Sequence, residues 1–315
     1  MFIFGIDIGG TSIKIGLFYE DGTLKEQWEI PTYKETIFQD LAKNLLNYLN
    51  VNQIKKEDIL GYGIGIPGIM KNGIALSCVN LGWTNVDIKK EFCKAMGDNV
   101  KVFVFNDANI AAFGEAYFTD NPFDSVVFVT LGTGVGGGII IQNEIVEGSN
   151  GLGGEIGHMK VDDTYQFDCS CGRKGCLETL ASATGIVRLT KFHHKKYPTI
   201  LNISETLTAK EVIDAAKKGD VLSSYVLQES CKALAKGLSN LSVTMNPDLF
   251  IIGGGLSNAG EFLLQEIQKQ FNQVCISLTR NTKIQLAKLK NNAGIYGACA
   301  YLIKKKHEVE KYGKC

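Results

Sequence analysis

One histidine and three cysteines stand within the stretch EIGHMKVDDTYQFDCSCGRKGC, which runs from Glu155 to Cys176. His158, Cys169, Cys171 and Cys176 offer one imidazole and three thiols, the donor set that closes a tetrahedral structural zinc site. Gly172 and Gly175 permit the tight turns needed to wrap an ion. The plainer reading is a loop of reduced thiols. A redox device is disfavoured because no Cys-x-x-Cys is present. Asp168, beside Cys169, is a poor match for a sulfur-rich site.

A second candidate is Asp107, between the apolar run VFVFN and the helical pattern ANIAAFGE. Ligands of α/β sheets gather at such junctions of a strand's carboxyl end and a helix start. A carboxylate there could accept the proton of a substrate hydroxyl attacking a phosphate. Asp is equally suited to capping the helix. Asn106, Asp107 and Asn109 interrupt an otherwise apolar run, which favours function. Asp7 ends the first strand pattern beside a Gly-Gly-Thr turn; it suits Mg²⁺, directly or through water, or an Asx turn.

These side chains need elements to hold them. FIFGIDIGGTSIKIGLFYEDGTLKEQWEI reads as strand, Gly turn at Gly9 and Gly10, strand, Asp21-Gly22 turn and strand. SVVFVTLGTGVGGGIIIQNEIVEG repeats that plan, with Gly132 opposite Gly9 and a turn at Asn143-Glu144. Gly132-x-Gly134-x-x-Gly137 matches the dinucleotide fingerprint, but it opens an Ile-rich strand where a Rossmann loop opens a helix. The two loops suit phosphates instead: with no Cβ in the way, the backbone N–H groups of Gly9, Gly10, Gly132 and Gly134 can approach a nucleotide, with Thr11, Thr133 and Lys14 adding contacts. Two tight hairpins without a ligand are the alternative. Around them, FQDLAKNLLNYLN reads as a helix, ILGYGIGIPG and VKVFVFN as strands, and SSYVLQESCKALAKGLSNLSVTMN as a long helix ended by Pro247. IIGGGLSNAG reads as strand, Gly turn at Gly254 and Gly255, and a helix capped by Ser257 or Asn258, open to a flat ligand or a phosphate. NAGIYGACAYLIKKK is a last helix. The class is α/β.

Composition narrows the function. The 315 residues carry 33 Lys+Arg against 33 Asp+Glu, so the basic excess of a nucleic-acid binder is missing. No secretory leader and no apolar run of membrane-spanning length is visible, which predicts a cytoplasmic protein. Cys78, Cys93, Cys231, Cys275, Cys299 and Cys315 are scattered as reduced thiols would be. HHKK at 193–196 reads as a solvated, polar helix end.

Taken together, GIDIGGTSIKIGL, GIGIPG, NLGW, FNDANIAAFGE, FVTLGTGVGGGI, GLGGEIGH, CSCGRKGCLET, IIGGGLS and NNAGIYGA resemble the ROK family (repressors, open reading frames, kinases), and within it the bacterial glucokinases. The resemblance implies a two-domain actin-like ATPase fold of the hexokinase type with an interdomain cleft. Residues 1–113 with 293–315 would form a small domain, and 114–292 a larger one carrying the zinc loop. It implies phosphoryl transfer from Mg·ATP to the 6-hydroxyl of a hexose, glucose first, with Asp107 as general base. N-acetylmannosamine, N-acetylglucosamine, fructose and allose, or sensing without turnover, are the alternatives. Sugar contacts map onto Gly68, Asn80, Asn106, Asp107, Glu155, His158 and Glu178, with His158 serving zinc and sugar through its two ring nitrogens. The zinc would then brace the sugar loop. The resemblance also implies a homodimer. The first Gly loop begins at Gly5, which leaves no room for the helix-turn-helix of family repressors.

Overall fold

The computed structural model describes residues 1–97, 100–118 and 123–312. The chain divides into two compact units: Met1–Pro122 with Gly138–Gly153 and Asn291–Cys315, and Phe123–Gly137 with Gly154–Lys290.

In the first unit β1 (Phe2–Ile8), β2 (Ser12–Tyr19) and β3 (Leu24–Pro31) form an antiparallel meander. After α1 (Ile37–Val51), β4 (Ile59–Ile66) returns parallel to β1. A small antiparallel sheet follows, made of β5 (Ile69–Lys71), β6 (Ile74–Cys78) and β7 (Trp83–Asp87). Then come α2 (Ile88–Met96) and β8 (Val102–Asn106), parallel to β4 and running straight into α3 (Asp107–Tyr117). The sheet order is β3-β2-β1-β4-β8.

The expected repeat is a repeat of topology. β9 (Val126–Leu131), β10 (Val135–Ile141) and β11 (Glu144–Ile145) restate the opening plan. Helices α4 (Glu178–Ala181), α5 (Ala183–His193), α6 (Ala209–Lys217) and α7 (Val221–Thr244) lead to β12 (Leu249–Gly253), parallel to β9. After α8 (Glu261–Val274), β13 (Lys283–Leu286) lies parallel to β12, and α9 (Ala293–Tyr312) is the last helix. The second sheet is ordered β11-β10-β9-β12-β13, again third, second, first, fourth, fifth. β9, β12 and β13 belong to the second unit and β11 to the first, the division falling within β10.

Local chemistry moves two boundaries. The β10–β11 turn sits at Gln142 and Asn143, one residue before the expected pair, and positive φ at both is the backbone of a type I′ hairpin turn. Helix α8 is capped by Gly260, not by Ser257 or Asn258. The Ser257 hydroxyl donates to Gly254 O at 2.7 Å, closing a short 3-10 turn, so it is not left to cap a helix.

Both faces of the first sheet are covered, as its apolar strands require. Phe4, Ile6 and Ile8 of β1 share a cluster with Leu41 and Leu45 of α1 and Phe92 of α2. Ile3, facing the other way, packs with Ile295, Cys299 and Leu302 of α9. Helix α9 can approach only because side chains are missing beneath it: a Cβ on Gly5 would stand 2.1 Å from Ile295 O, and one on Gly297 would stand 1.8 Å from Ile110 O of α3. No helix among the described residues is long and apolar enough to cross a membrane. Cys78, Cys231, Cys275 and Cys299 are buried free thiols and Cys93 is a half-buried one; Cys315 lies outside the described residues. We expect Gly297→Ala, which forces a methyl into backbone, to cost on the order of 3 kcal/mol or more, read as a lowered urea midpoint.

Candidate functional site

In the first unit the junction of β8 and α3 is fully specified. Asn106 is the helix cap: its Oδ1 accepts the Asn109 amide at 3.0 Å. Its Nδ2 donates to Gly68 O at 2.9 Å, which ties the Pro67-Gly68 turn to the start of α3. Gly68 has φ +113 and no room for a side chain, a Cβ there falling 2.4 Å from Ser77 O. Capping therefore accounts for Asn106 and not for Asp107, the first helical residue, whose Oδ1 accepts the Ala108 amide at 2.8 Å. Asn80 is exposed in the turn after β6. Cys78, two residues before it, has its thiol pushed up by burial first, with the charge of Asp107 adding to the effect.

Asp7 and Lys14 are paired across β1 and β2. Burial pushes the Asp7 carboxyl up, Lys14 opposes that, and Glu29 adds to it. The Lys14 ammonium donates to Asn291 O at 2.5 Å and lies 3.9 Å from Glu29. Between the strands the Gly9 amide closes the turn onto Ser12 O, and Thr32 Oγ1 donates to Gly9 O, leaving Gly10 and Thr11 at the surface.

In the second unit the Gly132 amide donates to Gly134 O at 3.0 Å. Gly254, at φ +80, lies so close to the end of β9 that a Cβ would fall 2.5 Å from Leu131 O. The two glycine turns of this unit are thus neighbours, with open space at Gly132 and Gly255. Glu178 Oε2 accepts the Val135 amide at 3.0 Å and occupies the space a Gly134 side chain would need.

The four predicted metal ligands come together, their donor atoms all within 4.8 Å of one another. Cys169 Sγ is 3.4 Å from His158 Nδ1, and Cys171 Sγ is 3.6 Å from Cys176 Sγ. Tetrahedral zinc bonds of about 2.3 Å to sulfur and about 2.0 Å to nitrogen separate ligand atoms by roughly 3.5–3.8 Å, so the donor set fits that ion. The electrostatics agree. The backbone N–H of Arg173, then its guanidinium, hold the Cys171 thiol down at about 6, while burial pushes Cys176 up to about 12. Adjacent thiolates resist sharing a site, and the charge of a bound dication would offset that repulsion and keep its ligands deprotonated. With Nδ1 turned to Cys169, His158 Nε2 lies 3.9 Å from Glu155 Oε2. Glu178 Oε1 is 3.9 Å from Cys169 Sγ. Glu155, His158 and Glu178 therefore surround one cluster. Asp168 stands outside it, paired with Lys174 at 3.5 Å.

Two residues escaped the sequence reading. Arg173, lying between two ligands, donates to His158 O at 2.7 Å and stabilises Cys171. Asp162, buried, accepts the amides of Thr164, Tyr165 and Gln166 and so shapes the loop before Cys169. The expected solvation of HHKK holds for Lys195 and Lys196 only. His193 is buried against Tyr165, Phe192 and Tyr225, its Nε2 3.2 Å from the Tyr165 hydroxyl, because α5 turns that face toward α7.

Comparison with known proteins follows the same lines. The sequence model of the ROK family matches residues 3–306. A glucokinase of Halalkalibacterium halodurans is 36% identical over 98% of this chain and 96% of its own length. A xylose repressor of Caldicellulosiruptor bescii is 32% identical over 96% of this chain and 78% of its own. The crystal structure of a ROK family glucokinase from Streptomyces griseus in complex with glucose and AMPPNP superposes with a TM-score of 0.74 at 30% identity, covering 96% of this chain and 99% of that one. The fold is accordingly the actin-like, hexokinase-type α/β fold. With the motifs, the doubled sheet topology and the Cys/His cluster all in agreement, this chain belongs to the ROK family.

Proposed function

We propose that this chain, an ATP-dependent sugar kinase, phosphorylates the 6-hydroxyl of glucose with Asp107 as general base. One observation carries the choice of base. At the β8–α3 junction Asn106 performs the capping, so Asp107 is not required as the N-cap and its second carboxylate oxygen is not used by the Ala108 amide. A base at this position takes the hydroxyl proton as the oxygen attacks the terminal phosphate. Asn80, Asn106 and the Gly68 backbone, with Glu155, His158 and Glu178, are proposed to hold the sugar hydroxyls, so that positioning supplies much of the rate. The amides at Gly10, Thr11, Thr133 and Gly134 are proposed to meet the phosphates; Gly9 and Gly132, whose own amides close the two turns, are proposed to let the phosphates approach the backbone, and Gly254 and Gly255 to let the nucleotide approach closely. Lys14, engaged by Asn291 O, would contribute charge at the first turn.

Asp7 is proposed to hold Mg²⁺, directly or through water; a bound ion there would offset phosphate charge. Zinc on His158, Cys169, Cys171 and Cys176 is proposed as structural. It would fix the loop that carries Glu155 and His158 and, two residues past Cys176, Glu178. Glucose rests on the likeness to glucokinases. The likeness to a xylose repressor favours a second reading, a sugar-binding regulator without turnover.

Asp107→Asn is expected to lower kcat by about 10²- to 10⁴-fold while sugar affinity changes little, measured by coupled ADP release and calorimetry. Turnover near that of the unaltered protein would remove Asp107 from the role. In the same assay glucose should exceed N-acetylmannosamine, N-acetylglucosamine, fructose and allose in kcat/KM; no ADP release with any sugar would favour the regulator. Stripping zinc with a chelator should weaken glucose binding before AMPPNP binding, and Cys176→Ser should lower zinc content. Unchanged sugar affinity in metal-free protein would discard the brace.

A further inference from the structure

The Gly132–Val135 loop is gripped from one side by a single short segment. The Ala183 amide donates to Gly132 O at 2.8 Å. Thr184 Oγ1 donates to Thr133 O at 2.8 Å. Glu178 Oε2 receives the Val135 amide. The segment is itself tied to the metal cluster. Thr179 Oγ1 donates to Cys176 O at 2.7 Å, and Ser182 Oγ donates to Glu178 O at 2.7 Å. Ser182 is fully buried, accepts the Gly185 amide at the start of α5, and stands 2.9 Å from Thr184 Oγ1.

These bonds have a directional consequence. In a planar trans peptide the C=O and the following N–H point in opposite directions. Drawing Gly132 O and Thr133 O toward Ala183 and Thr184 turns the amides of Thr133 and Gly134 the other way. Two successive N–H groups facing outward from one turn are an anion cradle. Because neither carbonyl is held by the loop itself, the cradle's orientation depends on residues far away in sequence.

We infer that Thr184 is a positioning residue for the nucleotide: its hydroxyl, donated to Thr133 O, aims the Gly134 amide at a phosphate. This rests on the reading of the loop as the phosphate site. It also makes the stretch from Cys176 to Thr184 serve two tasks, Glu178 at the sugar and Thr184 at the nucleotide loop.

The test compares Thr184→Val, which keeps the shape and removes the hydroxyl, with Thr184→Ser, which keeps the hydroxyl. Thr184→Val should raise the KM for ATP and the Kd for AMPPNP about tenfold, the scale of one neutral hydrogen bond. Its kcat should fall by less, its glucose Kd should stay within about twofold, and its zinc content should be unchanged; Thr184→Ser should restore the nucleotide values. Hydrogen exchange in ligand-free protein should speed up at 131–137 in Thr184→Val only. Unchanged nucleotide affinity with unchanged exchange overturns the proposal. So does an equal loss of glucose affinity and unfolding midpoint, which would mark a purely structural residue. If the unaltered protein binds no AMPPNP, the phosphate reading fails, and the exchange rates still decide whether the Thr184 hydroxyl holds the loop.

Discussion

Parallel strands that start in register also finish together, and both halves of this protein depend on that constraint. β1, β4 and β8 are paired so that Asp7 lies opposite Gly65, and Ile66 opposite Asn106. Three chain segments distant in sequence therefore leave the sheet along one edge: the first glycine turn, the Pro67-Gly68 turn and the start of α3. The same register recurs in β9 and β12, where Gly253 faces Thr130, so that the turns at Gly132 and Gly254 become neighbours. Parallel pairing needs both faces covered, and the first sheet meets that need with helices α1 and α2 on one side and α9 on the other. The glycines in β1 and α9 serve this packing. They remove the Cβ atoms that would hold the helix off the sheet.

The Cys/His cluster works within that frame as a local constraint. Its segment has little regular structure: a single 3-10 turn at Ile156–His158 and isolated bridges pairing Lys160 with Cys176 and Asp168 with Lys174. A loop of this kind needs other ties. Asp162 binds three amides, Arg173 binds His158 O, and four soft ligands converge. Beyond Cys176 the chain becomes helical at once, and that helical stretch carries the bonds to the Gly132–Val135 loop. Cys/His cluster, acidic side chain and glycine loop thus form one hydrogen-bonded run within a single unit.

Much of this was legible because the chemistry is local. Period-2 apolar runs, Gly turns and the strand-to-helix junction at Asn106-Asp107 are short-range patterns, and so is the spacing of Cys169, Cys171 and Cys176. What escaped detection was decided by partners remote in sequence. His193 looked solvated beside two lysines, yet Tyr165, Tyr225 and Phe192 enclose it. Ser257 looked like a cap, yet its hydroxyl turned back onto Gly254 O. Asp107 was a plausible cap by residue type, and the hydrogen bond from the Asn109 amide gives that part to Asn106 instead.

The sequence by itself determined the strands and helices around the glycine turns and the Asn106-Asp107 junction, the doubled glycine-turn plan, the Cys/His donor set and the family, since each is written in residue type and spacing. Tertiary structure alone decided which carbonyls Ala183 and Thr184 would hold, where Glu178 would place its two oxygens, and how closely α9 could lie on β1. Those outcomes depend on distances between residues tens to hundreds of positions apart. No periodicity encodes them; they follow once parallel register and close helix packing have brought the segments together.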